Sequence, residues 1–70
     1  MNGAIFIDKR ENGEVIIPFC NVAKFEVEGK LLFIWGVDKV YERFEIKNSD
    51  IASIILRAIK EGNIARLEVE

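Results

Sequence analysis

The sequence predicts one small α+β domain over residues 1–70. It is a curved antiparallel meander of about five strands, bent enough to approach a barrel, followed by one amphipathic helix and a short C-terminal strand. Three observations carry this reading. Runs rich in Val, Ile, Phe, Trp and Tyr recur at short intervals, separated by turn residues. Only one stretch, Ile51 to Glu61, repeats its apolar residues at helical spacing. After Gly62 an alternation of period two returns.

Ala4–Asp8 is the first strand, and Asn12-Gly13 is a turn signal, because Asn tolerates a positive φ and Gly has no Cβ to obstruct it. The chain returns through Glu14–Cys20. Pro18 cannot donate to a ladder, so this strand belongs at an edge or is interrupted there. Lys24–Glu28 alternates cleanly, with Phe25 and Val27 on one side and Lys24, Glu26 and Glu28 on the other.

Lys30–Asp38 is the central strand and is apolar on both faces: Leu31, Phe33, Trp35 and Val37 on one, Leu32 and Ile34 on the other. Its register decides which face is the core, since a slip of one residue exchanges them. A three-residue loop at Gly29 builds one continuous apolar face from Phe25, Val27, Leu31, Phe33 and Trp35. A two-residue loop at Asp38-Lys39 then opposes Val37 to Val40, Trp35 to Glu42, Phe33 to Phe44 and Leu31 to Ile46. On that register the core holds Phe25, Val27, Leu31, Phe33, Val37, Val40, Phe44 and Ile46. The opposite face carries Leu32, Ile34, Tyr41, Arg43, Glu45 and Lys47.

Asn48 or Ser49 is placed to cap the helix, with Asp50 at its positive end. Ile51, Ile54, Ile55 and Ile59 form its apolar stripe, and Gly62 suits the position just past its end. Ile64–Glu70 alternates as the last strand, with Ala65, Leu67 and Val69 on one side. Ile5, Ile7, Val15 and Ile17 complete the expected core.

Composition narrows function by exclusion. The chain has no His and a single Cys, Cys20, so neither an internal disulfide nor a Cys/His metal cage can form. No nucleophile–base pairing or glycine-rich phosphate loop is visible. Cys20, following Pro18-Phe19 in an apolar strand, reads as a small buried hydrophobe. Neither an enzyme nor a cofactor is expected. The net charge of −2 disfavours a nucleic-acid backbone as the main partner. No export signal or bilayer-length apolar run is seen, which with the lone free Cys points to the cytoplasm and away from membranes. The Ile, Lys and Glu usage suggests a prokaryotic source.

What remains is a surplus of apolar faces. Leu32, Ile34 and Tyr41 form a candidate interface on the face the helix leaves open, and the last strand offers an edge for pairing. The expected function is therefore a small non-enzymatic protein-interaction or regulatory domain acting as a homo-oligomer, most simply a homodimer. The alternative is a single-stranded nucleic-acid binder using Lys24, Tyr41, Arg43 and Lys47 on one sheet face. The order of five strands and then a helix is similar, in topology alone, to pleckstrin-homology-like folds and to small sheet-based single-strand binders. No site residue is carried over from either.

Overall fold

The computed structural model describes residues 2–70. Six strands and one helix follow in the order β1 (Ala4–Asp8), β2 (Glu14–Pro18), β3 (Val22–Glu28), β4 (Leu31–Gly36), β5 (Tyr41–Glu45), α1 (Ile51–Glu61) and β6 (Ile64–Glu68). The α+β class is as expected, but the strands form two three-stranded sheets and do not close into a barrel. The first sheet has the order β2-β1-β6, with β2 antiparallel and β6 parallel to β1. The second is the antiparallel meander β3-β4-β5. β6 follows the helix and adds to the edge of the first sheet, parallel to β1.

The sheets are stitched at one corner, where Ile46 and Val69 form an antiparallel bridge. There the Lys47 N–H donates to the Glu68 carbonyl at 2.7 Å, and the Glu70 N–H to the Glu45 carbonyl at 2.9 Å. At another junction the 3-10 turn Phe19–Asn21 carries the chain from β2 into β3, and the Val37 N–H donates to the Asn21 carbonyl at 3.0 Å. Phe19 is buried in this turn and meets Phe25 edge-on, with ring centroids 6.0 Å apart. Gly3 makes room for it. A Cβ at Gly3, whose φ is 95°, would collide with the Asn63 carbonyl oxygen and press on the Phe19 ring.

The inner faces of the sheets share one core. Ile5, Ile7, Ala65 and Leu67 come from the first sheet, and Leu32, Ile34 and Phe44 from the second. The helix α1 lies against β6 and β1 and adds Ile51, Ile55 and Ala58. No polar side chain among the described residues is buried. The helix ends as Gly62 suggests: at φ 69° its N–H reaches the Ile59 carbonyl, and the Asn63 N–H reaches the Ala58 carbonyl at 2.9 Å, a Schellman closure. Its start differs from expectation. Asp50 occupies the cap with a left-handed φ of 56° and no side-chain cap bond, while the Asn48 side chain accepts the Glu68 N–H at 2.8 Å. Asn48 thus ties β6 to the chain ahead of the helix.

The register of the second sheet corrects the expected one. Glu28 opposes Leu31, so the first hairpin turns on two residues, Gly29 and Lys30, with Gly29 at φ 60° in the first central position, where a type II′ turn takes glycine. Trp35 opposes Tyr41, and the second hairpin spans the three loop residues Val37, Asp38 and Lys39. The Lys39 N–H donates to the Gly36 carbonyl at 2.9 Å, Lys39 is left-handed at φ 68°, and Asp38 Oδ1 accepts the Val40 N–H at 3.0 Å. Each loop differs by one residue from the expected length. The two differences leave β3 and β5 facing as predicted and turn β4 alone over. Leu32 and Ile34 are therefore core, Leu31 and Phe33 are half-buried on the outer face, and Val37 and Val40 are exposed in or beside the loop.

Candidate interaction face on the second sheet

Turning β4 over brings its odd-numbered residues to the outer face of the second sheet. Cross-strand register then fixes three rows. Lys24, Trp35 and Tyr41 form the first, Glu26, Phe33 and Arg43 the second, and Glu28, Leu31 and Glu45 the third. Side chains alternate across each strand, so all nine project to the same side.

The three rings cluster. Phe33 lies 6.0 Å from Trp35 and 6.1 Å from Tyr41 in stacked orientation, and Trp35 lies 5.1 Å from Tyr41 at a tilt. The Lys24 ammonium sits 4.4 Å from the Trp35 ring centroid and 3.4 Å from a Glu26 carboxylate oxygen. A cation over the indole face holds the ring by its quadrupole, worth about 0.5–1 kcal/mol at an exposed site. The face is chemically graded along the strands. Its first two rows hold all three rings and both cations, and its last row pairs Leu31 with two carboxylates.

Leu32 and Ile34 do not belong to this surface. They are 0% and 3% exposed, covered by their own chain, and Tyr41 projects to the other side of the sheet at 47% exposure. The expected grouping of the three is corrected on those grounds. Of the basic set, Lys24, Tyr41 and Arg43 do share the outer face. Lys47 lies beyond β5 at the corner between the sheets and pairs with Glu68 at 3.5 Å. Phe33 and Trp35, expected in the core, are the residues that sequence reasoning missed here. The warning was the expected pairing of Trp35 with Glu42, the one mismatched pair in that register.

Cys20 is exposed, contrary to the buried reading, because the turn Phe19–Asn21 directs Phe19 inward in its place. Its sulfur lies 3.7 Å from Asn21 Oδ1. Among the described residues no cluster of His, Cys, Asp or Glu could hold a metal ion, and no helix is long and apolar enough to cross a membrane.

The strand edges at β2, β3 and β5 are guarded. The β2 edge ends in Pro18, and β3 carries a register irregularity between Val22 and Lys24. On β5, Glu42 falls on the inward side, opposite Ile34, and an inward charge deters a further strand. The last strand pairs with β1 on one side and is tied at its C-terminal end by Asn48, while its other side, from Ile64 to Leu67, is an unpaired sheet edge.

The outer face of the first sheet is different in kind. Arg66 lies over the Phe6 ring at 5.3 Å, Ile16 and Ile64 are exposed, and Glu14, Asp8 and Glu68 line up at one end. A groove of about 630 Å³ runs beside β5 and is lined by charged side chains including Lys9, Arg43, Glu45 and Glu70. It is broad and open, and it gathers no set of groups suited to acid–base or nucleophilic work. No protein-family model matches the chain, and no curated protein or solved structure matches it.

Proposed function

We propose that this chain is a small non-enzymatic interaction domain acting as a homo-oligomer, and that its working surface is the outer face of β3-β4-β5. One observation carries the reading: Trp35, Phe33 and Tyr41 cluster on that face while a complete apolar core lies on the other side of the same sheet. The fold does not need those rings inside. Trp, Tyr and Arg are also the residues that dominate binding energy at protein interfaces. At β2, β3 and β5 the edges are broken or carry an inward charge, which favours association through the face of the second sheet over strand addition there.

Amide chemical shifts test this as protein concentration is raised. The expected result is that the largest changes fall on residues 24–28, 31–35 and 41–45. Changes centred on α1 or on β2 would overturn the assignment.

A second reading rests on Lys24 over Trp35 and on Arg43 beside the rings. Stacking rings flanked by cations suit single-stranded nucleic acid, each stacked base being worth about 1–3 kcal/mol. The charge of the face weighs against it, since Lys24 and Arg43 share it with Glu26, Glu28 and Glu45. Salt-dependent binding of a short oligothymidylate at about 50 mM salt is the signature of this reading, and no binding there removes it.

A further inference from the structure

We infer that two copies of this chain pair face to face about a two-fold axis that crosses the strands near Phe33. This rests on the outer face of β3-β4-β5 being the working surface, and it adds the geometry and the charge pairs.

The rows of the face supply the argument. An axis lying in the face and running across the strands leaves each strand over its own counterpart and reverses its direction. The first row of one copy then meets the third row of the other. Lys24 meets Glu28 of the second copy, an ammonium against a carboxylate. Trp35 meets Leu31, ring against aliphatic side chain. Tyr41 meets Glu45, a phenol that can donate to a carboxylate. Each contact occurs twice. The middle row places Phe33 on Phe33 at the axis. It also places Glu26 on Glu26 and Arg43 on Arg43, each with a counter-charge on its own copy: Lys24 lies 3.4 Å from Glu26, and Arg43 stands beside Glu45 on the same strand and face. An axis running along the strands matches Glu26 with Arg43, but it sets Glu28 against Glu45 twice and gathers four carboxylates around Leu31 with no cation in that row. The grading along the strands thus favours laying the cationic end of one copy over the acidic end of the other.

The dimer is weak by its size. The molecule measures 28 × 24 × 23 Å, so one face can bury on the order of 1,000 Å² in total, the low end for specific interfaces. Its charge pairs lie near the rim, and their contribution is greatest at low salt.

Sedimentation velocity from about 1 μM to about 1 mM protein at low salt tests the inference with exposed charge reversals. Wild type is expected to dimerise within that range. K24E sets a carboxylate against Glu28 of the second copy, and E28K sets an ammonium against Lys24, so each alone should weaken the dimer by about tenfold or more. The double variant K24E/E28K, and an equimolar mixture of the two single variants, should both recover it. The double variant restores opposite charges at both sites. In the mixed dimer the new carboxylate of K24E meets the new ammonium of E28K at one site, and Glu28 of the first meets Lys24 of the second at the other. Circular dichroism confirms that the variants keep the fold. A wild type that is monomeric at about 1 mM overturns the pairing, and so does a dimer indifferent to either reversal. Trp35→Ala separates these failures from that of the underlying reading. If a dimer indifferent to charge is lost in Trp35→Ala, the face stands and the axis is wrong. If it persists, the face falls as well.

Discussion

The two sides of β4 are both apolar in sequence and opposite in fate. Leu32 and Ile34 lie in a sealed core, while Phe33 and Trp35 lie half-buried on an outer sheet face, shielded by each other, Tyr41 and flanking charged chains. The aliphatic side is close-packed against the first sheet and α1. The aromatic side is bulky and fringed with charge. Apolar character alone does not say which side the fold requires. What distinguishes them is the company kept across the strands: Phe25, Val27 and Phe44 for the inner side, Lys24, Glu26, Arg43 and Glu45 for the outer.

Substitutions on the two sides should separate accordingly. The largest effect is expected from Ile34→Asp, which puts an unpaired carboxylate into a core without buried polar partners. The cost is several kcal/mol, comparable with the roughly 5 kcal/mol a small domain has to lose, so circular dichroism should show an unfolded chain. A folded monomer would mean that this side is not core. Leu32→Ala should come next, losing about 2–5 kcal/mol of unfolding free energy in urea for a fully buried side chain. Across the sheet, Phe33→Ala should cost only about 1–2 kcal/mol, the loss of two aromatic contacts and part of a half-buried ring, and should leave the urea m-value unchanged. A loss equal to that of Leu32→Ala would erase the contrast between the sides. Lys24→Ala should change stability least, by about 0.5 kcal/mol, and should shift the emission of Trp35, the chain's only tryptophan.

Much of this fold is legible because local signals agree with it. The stripe from Ile51 to Ile59 and the glycine after it place α1 and its end, and Asn12-Gly13 falls in the connection from β1 to β2, where the residues with positive φ are Arg10 and Gly13 and not Asn12. The alternation of β3 and β5 assigns their faces correctly, since the charges that β3 carries lie on one side and Phe44 marks the inner side of β5. β4 carries no charge on either side between Leu31 and Trp35, so only the two loop lengths could orient it. Those lengths depend on the left-handed Lys39 and the Asp38 cap, features that residue type alone does not dictate. The candidate site follows from that one strand: the sequence pattern puts Lys24, Tyr41 and Arg43 on their common face, and puts Trp35 and Phe33 on the wrong side. Cys20 is exposed beside a buried Phe19 because a 3-10 turn, not a continuous strand, follows Pro18.

The parallel pairing of β1 with β6 has a consequence in time. Ile5 and Ile7 lie beside Ala65 and Leu67, positions sixty residues further along the chain. During synthesis at about 5–20 residues per second, the first strand waits several seconds for its neighbour to be made. Until then its hairpin with β2 has one unsatisfied edge and an uncovered apolar side. The second sheet, whose pairings are all between successive strands, can assemble earlier and offer a surface on which the first hairpin settles. Closing the longest loop last is the kind of non-local step that slows folding, toward milliseconds or longer for a chain of this size.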